Sequence, residues 1–470
     1  MESMAVVERA GATDLAFLAM DTGPVPQQFG VVLEVGTAGS TPVGTPVGTP
    51  IGTALDTGTV RELVVRRLPA VPRLRQRLRA APPGCGTPLW VDDPAFDVRR
   101  HVQELTCAPP GDEAAVVDTA LSAIMTPLPR DAPLWRVVVL RTPAGGGVGL
   151  VVVLHHALAD GLGGLGLLAA LLEPEPELEP AEHDGGFPRP RPAAPLLLRD
   201  ALARRLRGVG RVASAWRALR TGLGAAGGLR PARAAPCSLL APTGRRRAVA
   251  VVRVEREPLR AHAHRHGATT NDALLAAVGG ALGRVLTDRG EAAPATVQVA
   301  VPVSARRSAA GAPGGNAVSP MVVAVPTAGD PATRLAAVAM RSRELRSGAA
   351  AGPPPIAVLS GLFRLVATLG GYRRYLAHQH RMHTLVTHVR GPGTAVTVAG
   401  ATVRAVVPLA VGESGNVTVS FEALSYAGTL TVAVVVDPDA VGDPGGLADA
   451  LRGELHRMSG VPVSIVVGNR

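Results

Sequence analysis

The stretch Leu150-Val-Val-Val-Leu154-His155-His156-Ala157-Leu158-Ala159-Asp160-Gly161 is the part of the sequence from which fold and chemistry are most directly interpreted. Its first five residues form an uninterrupted apolar run, which is typical of a strand buried on both faces. Two histidines follow where this strand becomes a loop, and an Asp-Gly pair closes the stretch. The pattern predicts imidazoles that are anchored by the core and accessible from a loop.

His156 is the candidate general base, with His155 and Asp160 as the other candidate catalytic residues. A neutral imidazole, whose ordinary pKa is about 6.5, can accept the proton of an alcohol near neutral pH. The alcohol oxygen would then attack a thioester carbonyl directly, so no serine or cysteine nucleophile is required. Asp160 would hold the loop through an ion pair with an arginine, and Gly161 would allow a tight turn.

The same residues allow other interpretations. Adjacent histidines can be purely structural, and a zinc site would need ligands beyond the two histidines and Asp160. Residues 161–166 match a GxGxxG pattern, but six residues separate the strand from the first glycine. No clear βαβ unit or ribose-binding acid accompanies them. The sequence therefore predicts neither a metal nor a bound dinucleotide cofactor.

Length and composition limit the possible folds of the chain. The chain has 470 residues, more than one hydrophobic core usually holds, so two or three domains are expected. Strands and helices alternate through both halves, which predicts an α/β fold. We predict an N-terminal lobe at 1–185, a linker with an arginine-rich amphipathic helix at 186–244 and a C-terminal lobe at 245–470.

The charge of the chain indicates the kind of partner. The formal net charge is +11. The sequence contains no lysine, so all 48 of its Lys+Arg residues are arginines. A strongly basic balance favours polyanionic partners. Nucleic acid is not expected, because neither a known binding motif nor aromatic residues interleaved with arginines are present. An anionic membrane surface or a phosphate-bearing substrate is the expected partner.

Several features bear on location. Cys85, Cys107 and Cys237 form no CxxC pair, which favours a reducing, cytoplasmic compartment. No signal-peptide pattern is seen, and no run reaches the roughly 18 apolar residues of a spanning helix. Helices predicted at 196–223 and 356–377 combine arginines with apolar faces. They are expected either to pack on their own lobes or to lie on the inner face of the plasma membrane or on lipid droplets.

Further short motifs accompany the histidine pair in a definite order. They are Asp14–Phe17, Val71–Arg75, Trp90–Asp97, Pro133–Trp135, Asn271–Asp272, Val301–Ser304 with Arg306, Gly315–Asn316 and His388–Pro392. In the order and spacing of these motifs the chain resembles the bacterial wax ester synthase/diacylglycerol acyltransferase family. That family is a branch of the CoA-dependent acyltransferases, similar in fold to chloramphenicol acetyltransferase and to the condensation domains of peptide synthetases.

The resemblance implies a fold and a reaction. Two chloramphenicol-acetyltransferase-like lobes with mixed sheets would enclose an interdomain tunnel. Acyl-CoA, a co-substrate rather than a cofactor, would enter from one side. A long-chain alcohol or diacylglycerol would enter from the other and yield wax ester or triacylglycerol.

The resemblance also implies residue roles. His156 would be the general base and His155 its neighbour that shapes the loop, while Asp160 would pair with an arginine at 306 or 307. The candidate substrate-binding residues are Gly161, Asn271, Arg306 and Arg390. Asn271 and Asp272 also stand at a predicted helix start, where either could simply cap the helix. Arg390 would begin a turn near the tunnel.

Two departures from the family pattern leave the substrate open. Pro127–Arg130 has proline where the family usually has aspartate, and His388 stands where asparagine is usual. The alternatives to lipid synthesis are acyl transfer to a polyketide or glycolipid hydroxyl and a catalytically silent lipid-binding or lipid-droplet protein. An intact His-His-x-x-x-Asp-Gly pattern favours an enzyme over the silent protein.

Overall fold

The fold is seen in a computed structural model of the chain. It describes residues 7–36, 55–158, 186–209, 233–304, 318–348, 366–367, 369–412, 414–442 and 444–468. Two mixed β-sheets form within these ranges, each with its own helices, and a two-stranded ribbon accompanies them. The predicted α/β class with two lobes is confirmed.

The first sheet contains the histidine-bearing strand. Its six strands are β1 (Gln28–Gly36), β4 (Val102–Thr106), β5 (Trp135–Arg141), β6 (Gly147–His155), β11 (Thr397–Val398) and β12 (Ala401–Ala410). They lie in the order β11-β12-β1-β6-β5-β4, and only β4 and β5 pair in parallel. Strand β6 is therefore central, and its residues 150–154 are buried, as the apolar run predicts.

The second sheet has seven strands. They are β7 (Ala248–Glu255), β8 (Thr296–Ser304), β9 (Val318–Pro326), β10 (Thr384–Arg390), β13 (Val419–Tyr426), β14 (Thr429–Val436) and β15 (Val463–Val467). Their order is β15-β7-β14-β13-β10-β8-β9, with β10 parallel to both β8 and β13. The ribbon pairs β2 (Gln76–Arg79) with β3 (Leu89–Asp92).

Eleven α-helices are described in the ranges given above. They are α1 (Ala12–Met20), α2 (Thr57–Arg67), α3 (Val98–His101), α4 (Glu113–Met125), α5 (Ala194–Val209), α6 (Arg256–Arg265), α7 (Thr270–Asp288), α8 (Pro331–Gly348), α9 (Gly371–Ala377), α10 (Pro438–Val441) and α11 (Pro444–Ser459). Helix α7 is buried along most of its length. Gly279 permits this, because a Cβ there would lie 2.5 Å from the carbonyl oxygen of Pro326.

Helix α4 lies between the two sheets. Its residues Val117 and Ile124 share one apolar cluster with Val151 of β6 and with Val251 and Val435 of the second sheet. Burial of apolar surface at roughly 25 cal/mol per Å² makes such a shared cluster a strong link between lobes. The sheet carrying the histidines is thus held against the second sheet through α4.

A buried ion cluster reinforces the same junction. Arg253 of β7 binds Glu34 of β1 at 2.6 Å and also pairs with Glu113 at the start of α4. Arg253 is 6% exposed, so its charge is largely removed from water. Burial raises the pKa of Glu34 to about 7, opposed by the charge of Arg253 and aided by that of Glu113. The cluster therefore joins both sheets and α4 by charged contacts in a dry setting.

The chain crosses between the lobes twice more than the predicted boundaries allow, once into the first sheet and once back. Strands β11 and β12 follow β10 in sequence, yet β12 pairs with β1 along residues 402–410. Residues 397–410, which were assigned to a C-terminal lobe at 245–470, therefore belong to the first sheet. The sequence pattern cannot assign this strand to one sheet, since alternating apolar residues fit either sheet equally well.

Two predicted helices differ in extent. The sequence pattern predicts one amphipathic helix over residues 60–79, but α2 ends at Arg67 because Pro69 and Pro72 follow. Short 3₁₀ turns and strand β2 take its place. The helix expected at 196–223 is observed as α5, and its continuation beyond residue 209 lies outside the described residues. Of the helix expected at 356–377, only α9 and its approach at 366–370 are described.

Candidate functional site

Strand β6 delivers both histidines to its carboxyl end. His155 is its last residue and pairs in register with Gln28 of β1. The His155 N–H donates to the carbonyl of Leu134, and the His156 N–H donates to the carbonyl of Gln27 at 3.0 Å. The segment Pro133–Trp135 thus fixes the strand end, and Trp135 itself is buried beneath it. Backbone bonds to both neighbouring strands leave the two imidazoles little positional freedom.

The ring of His155 is fixed in one tautomer. Its Nδ1 accepts a hydrogen bond from the N–H of Ala157 at 2.9 Å. Nδ1 therefore carries no proton, and Nε2 donates to Oδ2 of Asp21 at 3.1 Å. Only 2% of His155 is exposed, so both ring nitrogens are committed to holding the loop.

Asp21 is a site residue that sequence reasoning missed. It lies between α1 and β1, where its carboxylate accepts from His155, from the Gln27 N–H at 3.1 Å and from Arg130. Burial alone would raise the pKa of Asp21, but these donors and the charge of Arg130 outweigh it and hold the pKa below its usual range. Asp21 therefore stays ionised. A single acid between a helix and a strand carries no periodic signal that could have identified it.

The ring of His156 lies between two phenylalanine rings. Phe17 of α1 stacks on it at 5.1 Å between centroids, and Phe29 of β1 lies at 4.8 Å with a tilt of 37°. Burial, helped by the neighbouring His155, lowers the pKa of His156 to about 3, while Asp21 acts weakly in the opposite direction. The imidazole is therefore neutral at physiological pH and in the form that accepts a proton.

The second lobe approaches the same loop. The N–H of Val25 donates to Oγ of Ser414 at 3.3 Å, and a Cβ on Gly23 would lie 2.2 Å from that oxygen. A shallow groove, too tight to admit a water molecule, runs beside this contact. Its walls come from both lobes and consist of Met20, Thr22, Gly23, Val25, Gln27, Tyr372, Arg373, Leu376 and Ser414. The loop that carries Asp21 therefore borders the junction of the lobes.

Asn271 and Asp272 lie in the first turn of α7. Thr269 is the N-cap residue, and its hydroxyl accepts from the N–H of Asp272 at 3.2 Å. The carboxylate of Asp272 accepts in return from the N–H of Thr269, which completes a capping box. Asp272 thus caps the helix, which was one of the two interpretations of this pair. Substrate contact by Asn271 stays a prediction.

Arg390 is exposed at the carboxyl end of β10. Burial lowers the pKa of His388 to about 4, and the positive charge of Arg390 contributes to this shift. The turn expected at residues 390–392 is displaced along the chain. The Gly391 N–H donates to the carbonyl of Ser425 and the Pro392 carbonyl accepts from Ala427, so these two residues follow β13, and the chain bends at 393–394.

Three candidate residues, Asp160, Gly161 and Arg306, lie outside the described residues, as does Arg307. Their roles stay predictions. Among the residues that are described, no three His, Cys, Asp or Glu side chains gather in a group that could hold a metal ion. Within the same ranges, no helix is both long and apolar enough to cross a bilayer.

The sequence matches the two domains of a known protein family. A family described as the wax ester synthase/diacylglycerol acyltransferase catalytic domain matches residues 11–274, which is more than half of the chain. The chain belongs to the wax ester synthase/diacylglycerol acyltransferase family. The C-terminal domain of the same family matches residues 314–459, so both parts of the family's architecture are present in order.

Curated relatives of this acyltransferase family span nearly the whole chain. A putative diacylglycerol O-acyltransferase of Mycobacterium tuberculosis is 30% identical over 471 aligned residues, which cover 97% of this chain and 90% of the relative. A probable diacylglycerol O-acyltransferase of the same species is 29% identical, over 84% of this chain and 86% of the relative. The chain is therefore an acyltransferase of this family.

Solved structures share the two-lobed fold. The wax ester synthase/diacylglycerol acyltransferase from Marinobacter aquaeolei VT8 is similar with a TM-score of 0.64 at 18% identity, covering 97% of this chain and all of that one. The starter condensation domain of rhizomide synthetase, solved in complex with C8-CoA, is similar with a TM-score of 0.59 at 13% identity, covering 97% and 95%. At these identities the likeness shows the fold alone.

Proposed function

We propose that this chain transfers a fatty acyl group from acyl-CoA to the hydroxyl group of diacylglycerol or of a long-chain alcohol. The observation that carries the proposal is the neutral ring of His156, held at the end of a central strand beside the junction of the lobes. A half-buried, uncharged imidazole next to an ordered acid is a suitable acceptor for the proton of an alcohol.

The proposed reaction needs one base and no covalent intermediate on the protein. His156 takes the proton of the acceptor hydroxyl while the oxygen attacks the thioester carbonyl. The tetrahedral intermediate then breaks its carbon–sulfur bond, and the thiolate of CoA takes the proton from the imidazolium. The products are an ester and free CoA, and His156 is neutral again. Asp21 stabilises the transient imidazolium, because its negative charge raises the pKa of His156.

The donor and the acceptor are supported separately. A similar condensation domain was solved with C8-CoA, which supports an acyl-CoA donor in this fold. The relatives that span most of the chain are described as diacylglycerol O-acyltransferases, which supports a lipid acceptor. Asp160 would still order the loop after the histidines, with Arg306 or Arg307 as its partner.

Helix α5 supports the proposal that the enzyme acts at a lipid surface. One side of it is fixed to the first lobe, because Arg9 binds Asp200 at 2.5 Å and Leu197 is buried against Cys85 and Leu89. Leu197 and Ala201 lie on that fixed side. Among the described residues, contacts with this one face hold the helix in place.

The free side of α5 is apolar with basic edges. Leu198, Leu202 and Leu206 recur every fourth residue and are 44%, 48% and 75% exposed. At 3.6 residues per turn, Arg199 and Arg205 flank this stripe on its two sides. Leucines between arginines suit an interface between acyl chains and anionic headgroups. We place the enzyme peripherally on the inner face of the plasma membrane or on lipid droplets.

A direct assay tests the proposed function. Purified protein is given palmitoyl-CoA and, in separate reactions, a diacylglycerol, hexadecanol, a glycolipid or a polyketide alcohol, while free thiol and lipid products are measured. Triacylglycerol or wax ester formed with equal release of CoA supports the proposal. Transfer confined to the glycolipid or polyketide alcohol would replace the acceptor. No thiol release with any acceptor, from folded protein, would leave a lipid-binding protein instead.

A further inference from the structure

A small polar cluster stands on β13 in an otherwise apolar setting. Glu422 and Ser420 are 3% and 5% exposed, and Thr387 of the neighbouring strand β10 donates its hydroxyl hydrogen to Oε2 of Glu422. Side chains alternate along a strand, so Glu422 shares its face with Ser420, Leu424 and Tyr426. Buried carboxyl groups are rare and call for an explanation.

This face of β13 is turned towards the first sheet. Tyr426 donates its hydroxyl hydrogen to the carbonyl of Val403 on β12, at 2.8 Å. Leu424 and Tyr426 also belong to the apolar cluster that includes Phe29 and Leu154 of the first sheet. Glu422 therefore lies on the side of the second sheet that faces the lobe carrying His156.

One oxygen of Glu422, Oε1, is shielded from water and has no hydrogen-bond partner of normal geometry among the described residues. Burial raises the pKa of Glu422 to about 7, and the nearby hydroxyls of Thr387 and Ser420 only oppose this rise. Leaving a buried acceptor unpaired destabilises a fold, and such atoms are few in native proteins. The buried Glu454 differs, because it pairs with both Arg334 and Arg457. A structural role explains Glu454 and does not explain Glu422.

The surroundings connect the cluster to the site. Phe29, whose ring lies against His156, pairs in register with Ala410 at the end of β12. Two residues later Gly412 has a φ of +67°, and a Cβ there would meet only the hydroxyl of Ser420, at 3.9 Å. A glycine at this point leaves room beside the cluster, at the end of the strand that adjoins β1.

We propose that Oε1 of Glu422 accepts a hydrogen bond from a bound substrate, either from an amide N–H of the pantetheine arm of acyl-CoA or from a hydroxyl of the lipid acceptor. This inference rests on the proposed function. Glu422 is assigned to binding and not to proton transfer, since the charges that shift the pKa of His156 are those of His155 and Asp21.

Glu422→Leu and Glu422→Gln test the inference in the full-length enzyme. Glu422→Gln keeps a side-chain oxygen that can accept from Thr387, so its melting temperature should stay about equal, whereas Glu422→Leu also removes the partner of the Thr387 hydroxyl and should lower it. Both variants should raise the KM of one substrate about tenfold or more, the usual worth of a hydrogen bond to a carboxylate. The kcat should change by less than about twofold. The substrate whose KM rises, palmitoyl-CoA or the acceptor alcohol, identifies the group that Glu422 binds.

Glu454→Gln is the matched control, because it makes the same change in a carboxyl group whose partners are both arginines. It should lower the melting temperature and leave both KM values unchanged. A lower melting temperature for Glu422→Gln would overturn the inference. So would KM values for both substrates within twofold of the parent, or both raised by the same factor.

Equilibrium binding separates this inference from the proposed function. Calorimetry with palmitoyl-CoA and with a short-chain diacylglycerol measures affinity without turnover. A protein that binds these ligands and transfers no acyl group would contradict the proposed function. The Glu422 inference would then be decided by whether Glu422→Leu weakens binding of one ligand, as expected, or of neither.

Discussion

Adjacent histidines at the end of β6 have different surroundings and therefore different expected roles. His155 uses both ring nitrogens, one towards the backbone and one towards Asp21. His156 is enclosed by Phe17 and Phe29 and stays neutral. His155 is the last residue of β6 and His156 the first residue of the turn that follows, so the two rings have different neighbours.

His156→Ala should reduce kcat/KM by about two to four orders of magnitude, the usual worth of general base catalysis, with no loss of folding. His155→Ala should retain more activity and should lower the melting temperature, because Asp21 and the Ala157 N–H lose their partner. Steady-state rates and thermal melts of both variants measure this. Equal, mild losses of rate would show that neither ring is the base.

The pH dependence of the free enzyme gives a second test of His156. Burial lowers the pKa of His156 to about 3, so the ring stays neutral as the pH falls, until far below neutrality. The kcat/KM should therefore show no descending limb near pH 6.5, where an ordinary histidine would take up a proton. A descending limb of kcat/KM between about pH 6 and pH 7 that disappears in His156→Ala would contradict the lowered pKa of this ring.

Asp21→Asn should lower kcat about ten- to a hundredfold, because a hydrogen bond to a charged group is worth about 1.5–3 kcal/mol. The KM for acyl-CoA should change little, since Asp21 acts through His155. Asp21→Glu should restore part of the rate.

The stability of Asp21→Asn supplies a control. The lowered pKa of Asp21 stabilises the fold above the unfolded value of 3.8 and loses this effect as the pH falls through the folded value. The deficit in melting temperature of the variant should therefore shrink in acid. A deficit that is the same at every pH, together with a normal kcat, would leave Asp21 a local packing residue.

At the scale of elements, α5 joins the body of the protein to its proposed lipid surface. Replacing Leu198, Leu202 and Leu206 together by serine should weaken binding to phosphatidylglycerol vesicles at least tenfold, because each buried leucine contributes about 1.5–3 kcal/mol. Turnover of a water-soluble alcohol should be unchanged, since the fixed side of α5 is untouched. Co-sedimentation and the soluble assay measure the two effects.

Matched variants sharpen this test. Arg199→Gln with Arg205→Gln should reduce the preference for anionic over neutral vesicles, and added salt should produce the same loss in the parent. Val65→Ser with Met340→Ser changes exposed apolar residues on α2 and α8 and should leave vesicle binding intact. Vesicle binding that is indifferent to the three leucines would show that α5 only packs on its lobe.

Elements with a strong local pattern could be predicted from sequence, and others could not. Strands β5, β6 and β14 are apolar runs bounded by polar or glycine residues. The sequence predicts strands at 135–141, 148–154 and 429–436, which agree with the observed bounds within a residue. Helix α2 was extended too far because its helical pattern outweighed the prolines at 69 and 72. The ends of an element depend on turn chemistry more than on periodicity.

The site could be predicted only where a motif marks it. His155 and His156 follow an apolar strand and are recognisable together. Asp21 is 134 positions from His155, and no local pattern links the two. The stacking of Phe17 and Phe29 on His156 likewise depends on α1, β1 and β6 meeting in space. Long-range contacts of this kind set the pKa of the base, so its value could not be read from sequence.

At the scale of the whole molecule, Arg253 is the charged link between the lobes. Arg253→Met should destabilise the protein by about 3–5 kcal/mol, because it leaves Glu34 and Glu113 without their counter-charge. The loss should be greater at pH 8 than at pH 6. The raised pKa of Glu34 favours the fold at low pH, and this effect is lost as the pH rises through the folded value of about 7.

An exposed pair serves as the control for Arg253. Arg246 and Asp439 are 67% and 51% exposed in their side chains, so Arg246→Met should cost less than about 1 kcal/mol at either pH. Chemical denaturation at both pH values measures the two variants. Similar small losses for Arg253→Met and Arg246→Met would show that the apolar cluster around α4 holds the lobes together without the ion cluster.

The pairing of β12 with β1 has a consequence for biosynthesis. A ribosome produces β1 long before β12, so β1 keeps one open edge while the intervening chain is made. An exposed strand edge recruits other strands, which makes nascent or truncated chains prone to aggregate. The first sheet should therefore close only after β12 has been made. Premature termination before residue 401 should yield chains that chaperones retain, rather than a working half-enzyme.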